Sequence, residues 1–463
     1  MISAPSHLPR LSGNRIGGLG LVICVLISCS APKTTTKTPA PKVPPPPAEN
    51  QVKVFDPVTG TDVWVPRSSV KVDTVKWTED PAPPLVRESE IKPDLPKSKE
   101  HYAVSLMLPF DGDQHIAMDN LDQKVNRFLQ YYAGMQLAIR ETDSLALPVS
   151  FYAYDADGSI ASTEALLKKT ETTHFDVVVG PYEKESLEAV ANFGLKHESM
   201  VISPWLPAFT IASENPFFIQ VVPGLAAHAE SISHFLVEEM GNKKIFLVAR
   251  NTPVEINRLA LFKKNKNLVT EDLIISDSSP DLERTELKSI LADEGTVFVL
   301  PFYAKSDEAF VNSFLRKLHA DKELKEVMVI GLPQWLGFSN LNANYLESLS
   351  VHLSVSTFMD VDAPAYASFR HRFFTHYHTV PDLQAFLGYD LIRWITSMLM
   401  KGGQEAFISS VVPWEEGIAS GYQLRPVYKS PSEGSGEMKT PLYYENMHIR
   451  IVKYEAQDYH LVK

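Results

Sequence analysis

The feature that most constrains the fold is a regular alternation of short apolar runs and amphipathic segments that begins at His101. The runs Ala103–Leu108, Val149–Tyr154 and Phe175–Val179 are typical of buried strands. Between them, apolar residues fall at helical spacing, as in Phe128, Tyr132, Met135 and Ile139. Strands separated by helices of about 10–15 residues predict right-handed βαβ crossovers. The sequence therefore predicts a parallel sheet covered by helices on both faces.

The same alternation restarts after residue 222. A helix around Ala226–Met240 precedes the strand-type runs Ile245–Ala249, Val297–Leu300 and Val327–Ile330. Two such series predict an α/β fold with two doubly wound parallel-sheet lobes joined by a hinge. We assign 101–222 plus about 354–405 to the N-terminal lobe. The C-terminal lobe takes 223–353, and about 406–463 adds its tail strands.

A leader precedes these lobes. Two arginines, Arg10 and Arg15, come before a short apolar run that ends in Leu26-Ile27-Ser28-Cys29. This pattern is typical of a bacterial lipoprotein signal peptide over residues 1–28, with Cys29 lipidated. A transmembrane helix is disfavoured, because a bilayer core needs roughly 20 apolar residues. The leader predicts a lipid-anchored protein on the periplasmic side of the inner membrane.

Two further segments lie between the leader and the lobes. Residues 29–50 contain Pro44–Pro47 and form a predicted disordered, proline-rich linker after the lipidated cysteine. Residues 51–100 form a predicted extended segment with a small hairpin around Asp56–Gly60.

Composition excludes several classes of function. The net charge of −12 and the lack of basic clusters argue against nucleic acid and against electrostatic attachment to lipid. The only cysteines are Cys24 and Cys29, so the predicted lobes cannot hold a disulfide, a thiolate zinc site or a cysteine nucleophile. Hydrolase motifs are lacking, and the spacing of His371, His376 and His378 does not suit one helix face. We expect no enzymatic activity, no cofactor and no metal.

An ordered series of motifs between His101 and Gln404 resembles the type 1 periplasmic binding proteins, the fold of the leucine/isoleucine/valine-binding proteins of ABC importers. The matching segments are Leu106–Phe110, Tyr132–Ala138, Tyr154–Gly158, Val177–Pro181, Val201–Pro204, Phe217–Pro223 and Leu387–Leu391. The resemblance implies a non-enzymatic, substrate-binding lipoprotein that serves an ABC permease. The same fold, leader and spacer also occur in outer-membrane lipoproteins that activate peptidoglycan synthases, so a scaffold that contacts an envelope enzyme is the alternative.

The ligand-binding cleft is predicted at the carboxyl ends of the parallel strands, where open α/β sheets bind ligands. The candidate residues are Phe110, Asp111, Asp155, Tyr182, Glu183, Ser203, Trp205, Arg250, Asn251, Phe302, Tyr303, Gln334 and Trp335. The aromatic members could stack on a ring or a sugar-like ligand, or they could fill the cleft themselves. Glu183 stands where amino-acid-binding relatives have small hydroxyl residues, and it would repel a carboxylate.

The ligand and the membrane stay open at this point. An amino acid, a peptide and a muropeptide-like molecule are the candidate ligands. Ser30, rather than an acidic residue, follows Cys29, which favours the outer membrane over the inner one.

Overall fold

The computed structural model describes residues 51–56, 61–66, 99–110, 123–156, 159–168, 174–207, 211, 214–276, 279–409, 412–428 and 440–462. The predicted signal peptide, Cys29 and the linker 29–50 lie outside the described residues. The chain divides into two units, 1–91 and 92–463. In the first unit, β1 (Gln51–Asp56) pairs antiparallel with β2 (Thr61–Pro66), at the place where the sequence indicates a hairpin.

The second unit contains two seven-stranded sheets. The strands of the first sheet are β3 (Tyr102–Leu108), β4 (Val149–Asp155), β5 (Val177–Val179), β6 (Met200–Ser203), β7 (Phe218–Gln220), β13 (Leu424–Val427) and β14 (Tyr443–Asn446). Their spatial order is β13-β14-β7-β6-β5-β3-β4, and all neighbours are parallel except β13 and β14. We call this sheet and its helices the first lobe.

The second sheet has the same plan. Its strands are β8 (Lys244–Arg250), β9 (Glu271–Ile275), β10 (Thr296–Val299), β11 (Val327–Gly331), β12 (Val351–Val355), β15 (Arg450–Glu455) and β16 (Asp458–Leu461). Their order is β16-β15-β12-β11-β10-β8-β9, with the last five parallel. This is the second lobe. In both sheets the second strand lies outside the first and the later strands extend the other way, which is a doubly wound arrangement.

Helices cover both faces of each sheet. They are α1 (Gln123–Ser144), α2 (Ile160–Leu167), α3 (Lys184–His197), α4 (Leu225–Glu239), α5 (Pro253–Leu259), α6 (Ser279–Arg284), α7 (Glu308–Asp321), α8 (Ala343–Ser348), α9 (Pro364–Tyr377), α10 (Leu383–Gly402) and α11 (Gln404–Ser409). Short 3-10 helices span Phe262–Lys264, Leu287–Ile290, Lys305–Asp307 and Pro333–Gly337. None of the helices in the described part of the chain is long and apolar enough to span a membrane.

Two glycines let α1 and α10 cross at very close range on one face of the first sheet. A Cβ atom at Gly134 would lie 1.8 Å from the carbonyl oxygen of Ala385, and one at Gly388 would lie 2.0 Å from that of Tyr131. Any side chain at either position would force the two helices apart. The close crossing brings Tyr131 of α1, together with Leu387 of α10, to the carboxyl edge of the sheet.

Three connections join the lobes: 221–224 between β7 and α4, 356–363 between β12 and α9, and 447–449 between β14 and β15. The tail after residue 406 therefore contributes to both lobes, whereas the sequence pattern predicts it in the second lobe alone. β13 and β14 join the first sheet because β14 pairs with β7, which is more than 200 residues earlier in the chain. Local periodicity carries no information about so distant a pairing.

Candidate functional site

Four aromatic side chains meet at the carboxyl edge of the first sheet. Trp205 follows β6, Tyr182 follows β5, and Phe128 and Tyr131 project from α1. The ring centroid of Trp205 lies 5.2 Å from that of Phe128, 5.0 Å from that of Tyr131 and 5.8 Å from that of Tyr182. These are the distances of edge-to-face and tilted aromatic packing. We call these four residues the aromatic cluster; two of them, Tyr182 and Trp205, are predicted cleft residues.

One cation lies beside this cluster. The guanidinium carbon of Arg127 is 5.8 Å from the ring centroid of Phe128 and 5.9 Å from that of Tyr182. Its Nε atom is buried, and among the described residues it has no hydrogen-bond partner. The aromatic cluster therefore combines stacking surfaces with a positive charge at its edge.

A small cavity lies beneath Trp205, where the lobes are connected. Its walls include Val221 and Val222 from the first connection, Thr357 from the second, and Asn446, the last residue before the third. The cavity measures about 60 Å³, which is room for about two water molecules, each occupying about 30 Å³ in the liquid. Trp205 thus belongs to the aromatic cluster and also lines the cavity at the interlobe connections.

Asp155 and Ser203, two other predicted residues of the first lobe, have local hydrogen bonds. Asp155 is exposed, and its carboxylate accepts the backbone N–H of Phe110 at 2.9 Å. Ser203 is buried, and its hydroxyl donates to the carbonyl oxygen of Leu206 at 2.9 Å. Glu183 is half-buried and precedes α3 without a side-chain capping bond to it. Asp111 lies outside the described residues.

In the second lobe, Arg250 is held at the carboxyl end of β8 by two acidic side chains. Its Nε donates to Glu255 at 2.8 Å and its Nη2 donates to Asp307 at 2.6 Å. The hydrogen bond to Glu255 is the largest effect that raises the pKa of Arg250, and the charges of both acids add to it against the opposing effect of burial. The guanidinium also lies 5.3 Å from the ring centroid of Phe302. Arg250 therefore fixes the loops around it.

Phe302 and Trp335 are predicted to line the cleft, and the structure instead places both in the hydrophobic core of the second lobe. Phe302 is 0% exposed and Trp335 is 2% exposed. The indole N–H of Trp335 donates to the carbonyl oxygen of Phe302 at 2.8 Å. The indole packs against Gly331, where an added Cβ would lie 2.7 Å from the ring. Burial and a satisfied N–H explain this tryptophan without a ligand.

The remaining predicted residues of the second lobe lie on its surface. Asn251 and Gln334 are exposed. Tyr303 is 43% exposed, and the guanidinium of Arg258 lies 4.5 Å from its ring centroid. Asn251, Tyr303 and Gln334 are therefore the exposed members of the predicted second-lobe set, and Arg250 is half-buried.

The structure also contains a buried acid that the cleft prediction missed. Asp390 of α10 is fully buried and accepts the backbone N–H groups of Ile418 at 2.9 Å, Ala419 at 2.8 Å and Ser420 at 3.0 Å. Burial raises the pKa of Asp390 to about 6, although these hydrogen bonds oppose the rise. Ser420 bridges to Thr357 and lines the cavity under Trp205. An acid within the apolar stretch Leu387–Ile392 was the available sequence signal.

Two more buried ionisable groups lie at the interlobe connections. Glu445 of β14 accepts the backbone N–H of Gly224 at 2.5 Å, and burial raises the pKa of this carboxyl. His228 of α4 lies 3.0 Å from the hydroxyl of Ser354, and burial lowers the pKa of its imidazole to about 4. Glu445 thus joins the first sheet to the first connection, while His228 and Ser354 join α4 to β12 within the second lobe.

Comparison with known proteins identifies the fold. The crystal structure of a branched-chain amino acid ABC transporter from Rhodospirillum rubrum matches with a TM-score of 0.54 and 14% identity, covering 78% of this chain and all of the other. A substrate-binding protein from Desulfitobacterium hafniense in complex with Leu matches with a TM-score of 0.48 and 15% identity, over 78% of this chain and 100% of that one. LivJ from Streptococcus pneumoniae in complex with isoleucine matches with a TM-score of 0.42 and 14% identity, covering 78% of this chain and 99% of that one.

No protein-family model and no curated protein matches the sequence. At 14% identity, the likeness to the Rhodospirillum rubrum structure shows a shared fold. It confirms the fold that the sequence motifs predict: the chain adopts the two-lobe α/β fold of the type 1 periplasmic binding proteins.

Proposed function

We propose that the chain is a lipid-anchored, non-enzymatic protein of the bacterial envelope that binds a small ligand between its two lobes. It would face the periplasm and present the ligand to an ABC permease. The fold supports this proposal, because two lobes joined by short connections can close on a ligand about a hinge.

The position of Trp205 is the observation that carries the proposal. This residue belongs to the aromatic cluster and also covers the cavity between the interlobe connections. A ligand that stacks against Trp205 would therefore act on the hinge as well as on the first lobe. A ring-bearing or sugar-like ligand, such as a muropeptide fragment, suits these surfaces. Glu183 nearby in sequence disfavours a free carboxylate.

Isothermal titration with amino acids, peptides and muropeptide fragments tests this function. We expect one ligand class to bind, and we expect Trp205→Ala to weaken its affinity at least tenfold, which corresponds to about 1.4 kcal/mol. Phe374→Ala is the matched control, because Phe374 is a 52% exposed aromatic on α9. X-ray scattering should show compaction on binding. Absence of heat with every ligand, together with an unchanged radius of gyration, would refute the proposal.

One observation favours a second candidate, a scaffold that contacts an envelope enzyme such as a peptidoglycan synthase. The cavity under Trp205 is about 60 Å³, whereas small-molecule sites usually measure roughly 300–1,000 Å³. A cleft filled by its own aromatic residues would leave the lobes as a rigid surface for a partner. Crosslinking in cells should then recover the enzyme with the wild-type chain, and no tested ligand should compact the protein.

The anchor and its membrane are tested separately. The wild-type chain should incorporate radiolabelled palmitate and Cys29→Ala should not, because the acyl chains would be attached at Cys29. Density-gradient separation should place the wild-type chain in the outer membrane, as Ser30 favours. A wild-type chain that takes up no label would contradict the lipid anchor.

A further inference from the structure

One outer strand of the first sheet lacks the features that normally protect a sheet edge. The two seven-stranded sheets end at β13, β4, β9 and β16. Charged side chains, prolines and short length usually prevent such edges from pairing with another chain. Three of the four edges carry them: Arg425 and Pro426 in β13, Glu271 and Asp272 in β9, and Asp458 and His460 in the four-residue β16. β4 has seven residues and no charge or proline from Val149 to Tyr154.

The hydrogen bonds around β4 show which backbone groups face its open side. Tyr102 N donates to Pro148 O, and Ala156 N donates to Leu108 O. In a parallel pair this pattern directs the N–H and C=O groups of alternate residues toward the neighbouring strand. The even-numbered residues of β4 therefore bond to β3, while Phe151 and Ala153 direct their backbone groups outward. Within the described residues, no strand other than β3 pairs with β4.

We propose that β4 pairs antiparallel with β4 of a second copy of the chain, about a two-fold axis at Tyr152. Full-length pairing sets Tyr152 opposite itself, Phe151 opposite Ala153 and Val149 opposite Asp155. The outward backbone groups then form hydrogen-bonded pairs, and Tyr152 forms the close pair without hydrogen bonds. The two first sheets become one continuous sheet of fourteen strands.

The side chains suit this register on the face covered by α1. Phe151 and Ala153 line a groove of about 170 Å³ together with Arg140 of α1. Antiparallel pairing places the ring of Phe151 from one copy beside the small Ala153 of the other, twice by symmetry. Asp155, on the same face as Leu108 and Phe151, comes opposite Val149 of the other copy. The register therefore pairs a large side chain with a small one near its centre and leaves the carboxylate of Asp155 at the outer end of the pairing.

Cysteine crosslinking tests the axis, because the only natural cysteines are Cys24 and Cys29. Residues in a close antiparallel pair have Cα atoms about 4.5 Å apart, within the range of about 4.4–6.8 Å for a disulfide. On mild oxidation of membranes that contain the full chain, we expect Tyr152→Cys to form a covalent dimer. Two controls measure the background of covalent dimer: the unchanged chain, and Asp272→Cys at the exposed edge strand β9.

Two further variants define the register without altering Tyr152. Ser150→Cys and Tyr154→Cys should each crosslink poorly alone, because like residues would be about 13 Å apart at about 3.3 Å per residue. Combined in one chain, they should crosslink strongly. Equal crosslinking by all variants, or crosslinking of Tyr152→Cys at the Asp272→Cys level, would overturn the proposal.

Ala153→Pro provides a test without new cysteines. Proline removes an outward N–H that β3 does not use, so the fold should tolerate it. Sedimentation of the unchanged chain should show a mass that rises toward twice that of one copy with concentration. Ala153→Pro should stay monomeric with an unchanged melting temperature. A wild-type chain that remains monomeric throughout the series contradicts the proposal.

Discussion

Replacing Asp390 with asparagine should change how the stability of the protein depends on pH. The carboxylate is fully buried, and burial raises its pKa from 3.8 to about 6 against the effect of its hydrogen-bond donors. A raised pKa means that folding favours the protonated form. The contribution of Asp390 to stability is therefore complete below about pH 3.8 and is lost as the pH rises through about 6.

The size of this effect follows from the shift. At about 1.36 kcal/mol per pH unit, a shift from 3.8 to about 6 corresponds to about 3 kcal/mol. Asparagine does not titrate, so the variant lacks this loss. The free energy of unfolding of Asp390→Asn, relative to the wild type, should therefore improve by 2 to 3 kcal/mol, as an order of magnitude, between about pH 4 and pH 7.

Urea unfolding of both proteins across this pH range is the measurement. The test follows how the difference in free energy of unfolding between the two proteins changes with pH. Any pH-independent cost of placing an amide beside the Ile418 N–H therefore cancels. A difference that stays constant with pH would show that the pKa of Asp390 is not raised. A difference that moves the opposite way would show that the backbone donors outweigh burial.

Three further outcomes are expected. Gly388→Ala should lower the free energy of unfolding by about 3 kcal/mol or more, because its Cβ would lie 2.0 Å from the carbonyl oxygen of Tyr131. The control Gly402→Ala should be neutral or slightly stabilising, because the nearest atom to its Cβ is 3.5 Å away. Equal losses of stability in the two variants would contradict the close crossing of α1 and α10. Burial lowers the pKa of His228 from 6.5 to about 4, so its neutral form supports folding above about pH 6.5 and that stability is lost as the pH falls through about 4. In urea unfolding, the free energy of unfolding of His228→Gln should therefore rise by about 3 kcal/mol relative to the wild type on acidification, opposite in direction to Asp390→Asn. No such rise would exclude a buried neutral imidazole. Arg250→Ala should lower the free energy of unfolding by about 3–5 kcal/mol in the same assay, because it leaves two buried carboxylates without their cation. Arg250→Lys, which keeps a positive charge, should lower it less. Weaker ligand binding with unchanged stability would show that Arg250 contacts the ligand instead.

The sequence predicts the architecture well because that information is local. Each strand-type run of Val, Ile, Leu and Phe and each helical stripe can be recognised within a window of about 11–18 residues. The carboxyl edge of a parallel sheet then follows from the strand directions alone. For this reason the order of the strands along the chain is enough to predict that Tyr182 and Trp205, which follow the neighbouring strands β5 and β6, lie together.

Whether an aromatic residue at the end of a strand points into the core or into the cleft is not determined by its neighbours in the sequence. Trp335 turns into the core because the carbonyl oxygen of Phe302 accepts its N–H and because Gly331 leaves space for the indole. Arg250, another predicted cleft residue, is held by Glu255 and by Asp307, which is 57 residues away. These partners become neighbours only after the lobe has folded, so local patterns offer no basis for separating core residues from cleft residues.

The three connections between the lobes have a consequence for the order of synthesis. The first sheet needs β14, whose Tyr444 pairs with Ile219 of β7, and the second sheet needs β15 and β16, which come later still. Neither lobe can be completed while the ribosome is still making the middle of the chain. A nascent chain released before residue 443 would carry two unfinished sheets with open edges, and chaperones and proteases would meet both lobes incomplete at the same moment.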